Sequence, residues 1–521
     1  MEAEDDLIRA LRDPAAYDHP VGRVRLHETH ISWVLLTGDY AYKIKKPVDF
    51  GFLDFSSLDK RRFYCEEEVR LNRRFAPQLY LGVVPVTRHD GRIRMGGQGP
   101  VIEYAVRMRQ FDDSRLLDRL AERGELDDGL VDDMAAAIAD FHQRAEPAPA
   151  GSSWGEPDDI QHWYQENIDH IRPLLDDEGR LRQLLHLEEW GRRECARLRD
   201  TLLARRRAGR VRECHGDLHL GNLVCIDGRV TLFDCIEFNP NLRWIDVISE
   251  VAFLYMDLVH RGLDRQARRF LNRYLQHGGD YAGLVLLPYY LVYRALVRAK
   301  VAILRLAQEQ DAQQRRHTRA EYDAYADLAQ RFTRPGRPAL MITCGLSGSG
   351  KSTLAARLVE WLGAVQIRSD VERKRLFGLA PDARTGSGVD AGIYTQDAGR
   401  RTYERLAQLA RTVVEAGFPV VVDATFLQRA RRAAFRDLAA ATGVPFVILD
   451  LRAPADVLRQ RVTARERAGG DPSEAGLAVL EKQIRDAEPP GTDEGRVVVI
   501  DASRAPDREA LLRELDFGVF R

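Results

Sequence analysis

Two stretches of the chain carry residue types whose spacing suits phosphate chemistry, and the first is H-G-D-L-H-L-G-N at 215–222. Asp217 and Asn222 lie five residues apart, and a following F-D-C adds Asp234 twelve residues later. This spacing lets a base and oxygen ligands for a metal ion face the same phosphate group. We therefore predict Asp217 as a catalytic base and Asn222 with Asp234 as Mg²⁺ ligands. His215 is expected to stabilise the conformation of this loop.

The second stretch is G-L-S-G-S-G-K-S-T at 345–353, which fits the phosphate-binding motif G-x-x-x-x-G-K-[ST] at every position. A strand-like apolar run precedes it and a helix-like run follows, which is the context that this motif needs. Backbone N–H groups and the helix N-terminus hold phosphate oxygens there. Lys351 is predicted to contact the β- and γ-phosphates of ATP, and Ser352 to bind Mg²⁺. The predicted nucleotide-binding residues are Gly345, Ser347, Gly348, Ser349, Gly350, Lys351, Ser352 and Thr353.

Three features downstream of this motif suit phosphoryl transfer. Asp423 ends the strand-like run V-V-V-D, where a Mg²⁺ ligand belongs, although an Asp there could also cap the next helix. Asp370 ends I-R-S-D, and a carboxylate at the ligand-binding edge of a parallel sheet can accept a proton from an attacking hydroxyl. Arg461 and Arg465 lie one helical turn apart, so they form either a solvated helix face or a lid over the transferred phosphoryl group.

The elements that must position these residues change character along the chain. Residues 23–45 alternate like β-strands, with Gly38-Asp39 as a two-residue hairpin turn, and residues 58–75 have helical periodicity. The pattern is then mostly helical up to R-P-G-R-P at 334–338, which reads as a linker because two prolines and a glycine cannot continue a helix. After the linker, short apolar runs alternate with helical segments, which predicts a parallel sheet covered by helices.

Whole-chain properties limit the class of protein. A chain of 521 residues is too long for one ordinary core, and a net charge of −1 gives no general attraction to nucleic acid or anionic membrane. The six cysteines include no C-x-x-C, which suits reduced thiols in the cytoplasm. The acidic N-terminus is no signal peptide, and the apolar run at 284–293 is too short to span a bilayer. We therefore predict a cytoplasmic protein without a membrane partner.

The pattern H-G-D-x-x-x-x-N followed by F-D resembles the aminoglycoside phosphotransferase and choline kinase branch of the protein-kinase-like fold. The P-loop half resembles the small P-loop kinases, a group that includes gluconate and shikimate kinases, a phage polynucleotide 5′-kinase and the zeta toxins. The whole chain is similar to bacterial fusions of these two domains. This resemblance implies an α+β protein-kinase-like domain at 1–333 (small lobe about 20–110, helical lobe about 111–333), a linker at 334–338, and an α/β P-loop kinase domain with a parallel sheet at 339–521.

The first resemblance also implies roles in the small lobe. One of two strand lysines should contact the α- and β-phosphates; Lys43 is preferred by its position after the hairpin, with Lys45 as the alternative, and both could instead be surface lysines. A helix glutamate should pair with that lysine; Glu68 fits the packed face best and Glu67 is the alternative. The loop T-H-I-S departs from the protein-kinase pattern, because it has no glycine where a glycine-rich loop covers the phosphates.

The second resemblance implies that Lys351 and Ser352 bind ATP–Mg²⁺, that Asp370 activates the hydroxyl, and that Arg461 and Arg465 belong to a lid. The segment D-P-S-E-A-G-L-A-V-L-E-K-Q at 471–483 supports the lid, since similar segments follow the lid in kinases of this group.

Together the patterns predict a bifunctional ATP- and Mg²⁺-dependent phosphotransferase that acts on small-molecule hydroxyl acceptors. One alternative is a regulatory nucleotide-binding ATPase whose N-terminal domain is a pseudo-kinase. Another is a nucleic-acid 5′-kinase in the C-terminal domain. Residues 337–521 contain 28 Lys and Arg against 25 Asp and Glu, a net charge of only +3, which disfavours a nucleic-acid groove. Neither the acceptors nor the oligomeric state can be read from the sequence.

Overall fold

The structure is a computed structural model that describes residues 2–51, 53–380, 383, 392–468 and 475–515. The chain divides into two compact units, and each is described by itself. The first unit comprises Met1–Leu175 and Glu188–Asp257, and the second comprises Asp176–Leu187 and Leu258–Arg521. Residues 471–474, which begin the segment predicted to follow the lid, lie outside the described residues.

The first unit opens with an antiparallel sheet, and the predicted hairpin turn at Gly38-Asp39 is confirmed, because Leu36 of one strand pairs with Ala41 of the next. A helix runs alongside the sheet where the sequence has helical periodicity. The elements are α1 (Glu2–Leu11), β1 (Arg25–Glu28), β2 (Ser32–Leu36), β3 (Tyr40–Lys45), α2 (Leu58–Asn72), β4 (Tyr80–His89), β5 (Arg92–Met95) and β6 (Val101–Arg109). The described strands have the order β1-β2-β3-β6-β4-β5.

The side chains of β3 alternate between the two faces of the sheet, and this alternation places both of its lysines on the same face. Tyr42 and Ile44 pack into an apolar cluster that includes Leu11 of α1. Successive strand residues point to opposite faces. Lys43 and Lys45 therefore lie on the other face of the sheet, on the side of α2.

The rest of the first unit is mainly helical, and a small hairpin interrupts the helices. Leu223 pairs with Leu232 in this hairpin, and the Phe233 N–H donates to the Asn222 carbonyl oxygen at 3.1 Å, so Asn222 lies across from the residue that precedes Asp234. The elements are α3 (Leu117–Glu122), α4 (Asp128–Arg144), α5 (Pro157–Ile171), α6 (Glu178–Arg207), β7 (Val211–Glu213), β8 (Leu223–Ile226), β9 (Arg229–Leu232), α7 (Pro240–Arg243), β10 (Trp244–Asp246) and α8 (Val247–His260). The helices α6 and α8 contribute residues to both units.

The second unit has a parallel sheet with helices around it, as predicted. Its helices before the linker are α9 (Asp264–Gly278), α10 (Leu287–Gln308) and α11 (Ala312–Phe332). After the linker come β11 (Leu340–Cys344), α12 (Lys351–Leu362), β12 (Val365–Arg368), α13 (Ser369–Leu376), α14 (Gln396–Glu415), β13 (Val420–Asp423), α15 (Arg429–Thr442), β14 (Phe446–Arg452), α16 (Ala455–Ala468), α17 (Leu477–Asp486), β15 (Arg496–Asp501) and α18 (Arg508–Glu514). The strand order is β12-β13-β11-β14-β15, with every pairing parallel.

This order puts β11, which leads into the phosphate-binding motif, in the middle of the sheet. The carboxyl ends of parallel strands meet at one edge, and ligands bind outside that edge. Side chains that follow β12 and β13 therefore lie on one side of the P-loop, and those that follow β14 and β15 lie on the other.

Within the described residues, one helical stretch, Tyr281–Ala307, is long and apolar enough to cross a membrane by length and composition, but 67% of its most apolar window is buried inside the protein. It thus has the burial of a core helix. The six cysteines are buried, and none forms a disulfide among the residues that the structure describes.

Candidate active sites

The predicted catalytic loop of the first unit connects β7 to β8. Asn222 ends a short 3-10 turn, and its side-chain amide donates to the Asp217 carbonyl oxygen at 2.8 Å and to Asp217 Oδ2 at 3.2 Å. The five-residue spacing therefore brings the two polar side chains into direct contact.

His215 is fully buried beneath this loop, and its ring stacks on Phe75 with 5.6 Å between the ring centroids. Burial lowers the pKa of His215 and so favours the neutral ring. A neutral imidazole has one donor and one acceptor. The contacts suit both, because Nε2 lies 2.7 Å from the Phe233 carbonyl oxygen and the Asp217 N–H lies 3.4 Å from Nδ1. His215 thus connects the loop to the segment that carries Asp234.

A buried carboxylate that the sequence did not indicate fixes the same loop. Glu250 of α8 accepts the Gly216 N–H at 2.6 Å, and its other oxygen lies 2.8 Å from His142 Nε2. Burial by itself would raise the pKa of Glu250, but the contact with His142 outweighs burial and lowers this pKa. Gly216 has φ +90°, and a Cβ there would lie 2.8 Å from the Leu242 carbonyl oxygen, so this position needs glycine. Cys214 joins His142 and Glu250 in a group close enough to hold a metal ion, but hydrogen bonds already engage both Glu250 oxygens.

Two lysines of β3 share one glutamate in a buried charge cluster. The Glu68 oxygens lie 3.0 Å from Lys43 Nζ and 2.7 Å from Lys45 Nζ. Lys43 also lies 2.5 Å from Asp234 Oδ1, whereas Lys45 pairs with the buried Glu237. Burial works against the charge of both amines, but the neighbouring carboxylates outweigh it and raise the pKa of each lysine. Burial by itself would raise the pKa of Glu68, but the two lysines outweigh burial and lower this pKa to about 2.

The structure distinguishes the residues that the sequence left as alternatives by their contacts. Glu67 pairs with Arg70 at 2.7 Å and with Arg243 at 2.9 Å, whereas Glu68 binds the lysines. Lys43 is the lysine that joins Glu68 to the predicted metal ligand Asp234, and Lys45 is completely buried behind it.

Asp234 is held in an unusual backbone conformation at φ +63°. A non-glycine residue in the left-handed region costs on the order of 1 kcal/mol, and it persists only where its surroundings fix it. Its N–H donates to the Tyr80 hydroxyl at 2.9 Å, and the next N–H, of Cys235, donates to Asn72 Oδ1 at 3.0 Å. The Asp234 side chain remains 43% exposed. A carboxylate and the nearby Asn222 amide are hard oxygen donors, which suits Mg²⁺.

The turn between β1 and β2 is tight. The Thr29 N–H donates to the Ser32 carbonyl oxygen at 2.9 Å, and the Ser32 N–H donates to Thr29 Oγ1 at 3.0 Å. With two residues between these partners, the turn lacks the length and the glycines of a phosphate-covering loop.

The P-loop of the second unit has the backbone that its glycines predict. Gly345 has φ +154°, and a Cβ there would lie 2.7 Å from Ser349 Oγ and 2.8 Å from the Leu451 carbonyl oxygen. Gly350 caps the start of α12 at φ +84°. Lys351 Nζ donates to the Leu346 carbonyl oxygen at 2.7 Å, and burial lowers the pKa of Lys351 to about 8.

The metal side of this site contains polar residues that the motif did not reveal. Asp423 ends β13 and is buried, which raises its pKa. Gln366 Nε2 donates to Asp423 Oδ2 at 3.0 Å. The Gln366 N–H in turn donates to Asn272 Oδ1 at 2.8 Å, and Gln276 Nε2 donates to Gln366 Oε1 at 3.2 Å. Asn272 and Gln276 belong to α9, so a helix far upstream in sequence supports Asp423. Paired oxygen donors from Asp423 and Ser352 suit Mg²⁺.

A cavity of about 890 Å³ extends from the P-loop, and the predicted residues Asp370, Asp423, Arg461 and Arg465 line it. Arg461 Nη1 lies 3.5 Å from the Gly348 carbonyl oxygen, and Arg465 Nη2 donates to the Ala475 carbonyl oxygen at 2.5 Å. Gln483 of α17, which the sequence did not single out, accepts the P-loop N–H of Ser347 at 2.8 Å. The structure therefore brings both predicted arginines to the cavity beside the P-loop, and Arg461 lies against the P-loop itself.

Both parts of the chain are similar to known proteins. A family model described as "Phosphotransferase enzyme family" matches residues 58–287, and one described as "AAA domain" matches residues 340–490. An uncharacterized protein of Mycobacterium tuberculosis (strain ATCC 25618 / H37Rv) is 32% identical over 460 residues, covering 87% of this chain and 89% of that protein. An adenylyl-sulfate kinase of Vibrio cholerae is 36% identical over 113 residues, covering 22% of this chain and 49% of that protein. A solved choline/ethanolamine kinase family protein from Mesorhizobium loti has 12% identity and a TM-score of 0.40, covering 64% of this chain and 95% of that one.

The fold and the sites define a phosphotransferase-type, nucleotide-binding protein that combines a kinase-like phosphotransferase domain with a C-terminal P-loop domain. The chain belongs to the same family as the mycobacterial protein, because the two align over most of both lengths. The predicted pairing of domains and the predicted fold classes are thereby confirmed.

Proposed function

We propose that the protein is a bifunctional phosphotransferase that uses ATP and Mg²⁺ at two sites and transfers the γ-phosphate to hydroxyl groups of small molecules. The observation that carries this proposal is Lys43, which joins Glu68 to Asp234 close to the loop where Asp217 contacts Asn222. This arrangement supplies a cation, a metal-binding carboxylate and a base within one unit, and the P-loop of the second unit supplies an independent set.

In the first site, Lys43 contacts the nucleotide phosphates, and Asn222 and Asp234 hold Mg²⁺. The carboxylates around Lys43 raise its pKa, so the amine stays charged at neutral pH. Asp217 orients the acceptor hydroxyl and takes its proton. When bound, the metal neutralises charge on the phosphates.

In the second site, the P-loop amides and Lys351 hold the phosphates, and Ser352 and Asp423 hold Mg²⁺. Asp370 takes the proton of the acceptor hydroxyl. Arg461 and Arg465 stabilise the charge of the transferring phosphoryl group from the lid side.

The proposal includes a cytoplasmic location and a division of the chain into domains at 1–333 and 339–521 on either side of the 334–338 linker. The family-model matches, which end at 287 and begin at 340, are compatible with this division, whereas the compact units of the structure group residues 258–333 with the P-loop sheet.

Label transfer from γ-labelled ATP into a small-molecule extract tests the proposal on the full chain. Asp217→Asn and Lys351→Ala should each remove a different subset of labelled products, and the double variant should remove both. Asp227→Asn, an exposed aspartate in the turn that follows β8, is the matched control and should change nothing. Label transfer that persists in the double variant would contradict the proposal.

A second candidate, a regulatory protein whose first domain binds nucleotide without transfer, is favoured by the tight Thr29–Ser32 turn. Under this alternative, the first domain still binds Mg²⁺–nucleotide, but Asp217→Asn leaves every labelled product unchanged.

A further inference from the structure

The cavity beside the P-loop has two halves, which lie on either side of the central strand β11. One half lies beyond the ends of β12 and β13, and the other lies beyond the ends of β14 and β15. The lid arginines follow β14. The half that follows β12 and β13 contains Asp370 and Asp423, which are the proposed base and a proposed metal ligand. This half is therefore where an acceptor hydroxyl would lie.

Besides Arg368 at the end of β12, which lies 3.7 Å from Asp423, two arginines line the same half of the cavity. Arg373 lies on α13 three residues after Asp370, and residues at this spacing share one face of a helix. Arg431 lies in the first turn of α15, after β13. Arg373 Nε lies 3.4 Å from Thr402 Oγ1, so α14 helps to hold this guanidinium.

Aromatic rings hold the guanidinium groups in place. Arg431 Cζ lies 4.1 Å from the centroid of the Tyr403 ring, and Arg373 Cζ lies 4.6 Å from that of Tyr394. The Tyr403 ring is itself fixed, since its hydroxyl accepts the Phe426 N–H at 3.3 Å and the two rings meet edge to face at 5.1 Å. Contacts with ring faces leave the guanidinium edges available for hydrogen bonds.

Neither Arg373 nor Arg431 contacts a carboxylate among the residues that the structure describes, unlike many arginines of this unit. Arg400, for example, pairs with Asp397 at 2.6 Å and Glu404 at 2.7 Å. A guanidinium is always charged and binds planar or tetrahedral oxyanions through two parallel N–H bonds. Two such groups on a cavity wall favour an anionic ligand.

We propose that Arg373 and Arg431 form an anion subsite and that the acceptor of the second site is an alcohol carrying a phosphate, sulfate or carboxylate group. This inference rests on the proposed transferase function and specifies its substrate class. The acceptor oxygen forms the new P–O bond to the γ-phosphorus, the bond from that phosphorus to the β,γ-bridging oxygen breaks, and ADP leaves. The hydroxyl proton moves to Asp370.

Calorimetry on the full chain tests the subsite with inorganic sulfate as the probe. The protein is first saturated with Mg²⁺ and a non-hydrolysable ATP analogue, so that the phosphate-binding loops are occupied, and sulfate is then titrated at constant ionic strength. We expect saturable binding that Arg373→Ala and Arg431→Ala each weaken about tenfold or more, as the loss of a charged hydrogen bond implies. Arg436→Ala, an exposed arginine on the same helix as Arg431, is the matched control and should leave the affinity unchanged.

The outcomes separate this inference from the proposed function. Failure of the analogue itself to bind in a Lys351-dependent manner refutes the proposed function at this site. Normal analogue binding without saturable sulfate binding, or with equal sulfate affinity in all variants, overturns the subsite alone.

A second measurement identifies the acceptor class directly. A small-molecule extract is divided on an anion-exchange resin, and each fraction is incubated with γ-labelled ATP. The Lys351-dependent product should arise from the retained fraction and decrease in Arg431→Ala. A product from the unretained, neutral fraction would overturn the inference.

Discussion

Gln366 connects α9 to the metal side of the P-loop site, and replacing it tests whether this connection matters for Mg²⁺. The side chain is 3% exposed, donates to Asp423 Oδ2 at 3.0 Å and accepts from Gln276 at 3.2 Å. Gln366→Met keeps the length and volume of the side chain but removes the amide. Asp423 then loses a donor at a buried position.

The size of the effect follows from the bond that is lost. A hydrogen bond to a charged group contributes about 1.5–3 kcal/mol, which corresponds to a factor of about 10 to 100 at about 1.4 kcal/mol per tenfold change. The Gln366 amide holds the Asp423 carboxylate in a fixed orientation, and without this donor the buried carboxylate is no longer held in place as a ligand. We therefore expect the Mg²⁺-dependent nucleotide affinity of the second site to fall by about 10- to 100-fold. Outer-sphere partners of metal ligands have effects of this size.

The assay is calorimetry of a non-hydrolysable ATP analogue with and without Mg²⁺, in an Asp234→Asn background that suppresses the first site. Affinity without Mg²⁺ should hardly change, because the P-loop amides remain. Asn272→Ala should act in the same direction, because it releases the Gln366 backbone from α9. Gln408→Met, an exposed glutamine of α14, is the control and should have no effect. Equal losses with and without Mg²⁺ would refute the reasoning, since they would indicate general damage to the fold.

Four further outcomes are expected. Asp217→Asn should lower transfer by the first site about 10²–10⁴-fold with nucleotide affinity unchanged, whereas Asp234→Asn should weaken Mg²⁺–nucleotide binding itself; identical affinities and rates in both variants would speak against the assignments. Lys351→Ala should abolish nucleotide binding at the second site by calorimetry, and retained binding would exclude its role. Because burial lowers the pKa of Lys351 to about 8 and bound phosphates raise it, the complex holds more protons, so affinity should fall as pH rises above about 8; a flat profile in this range would contradict this. A protease should cut at the exposed residues 334–337, and the two products should stay together on native size exclusion, because the helices before the linker belong to the same compact unit as the P-loop; products that separate would contradict this expectation.

The positions of both phosphate-chemistry motifs could be predicted because their residues are close in sequence. In H-G-D-L-H-L-G-N, five residues of chain are enough to bring Asp217 and Asn222 into contact. In the P-loop, the glycines fix the local backbone, and the strand and helix on either side follow from apolar periodicity. Such features depend on covalent spacing and local conformational preference, which the sequence contains directly.

The choice between Glu67 and Glu68 shows where sequence reasoning reached its limit. Neighbouring helix residues point about 100° apart. The apolar face favoured Glu68 without excluding Glu67, and the packing of α2 on the sheet decided that Glu68 meets both lysines. The same packing allows Lys43 to pair with Asp234 while Lys45 pairs with Glu237.

Local sequence patterns are thus sufficient to predict the two domain classes and the motif residues. The residues that support these motifs from far away in the chain can be identified only from the packing of the folded protein. Glu250 contacts Gly216 over 34 residues, and Asn272 contacts Gln366 over 94 residues. No local pattern marks such partners, because a buried glutamate or asparagine on a helix has no spacing signature. The hydrogen bond exists only once packing has brought the two elements together and excluded water from between them.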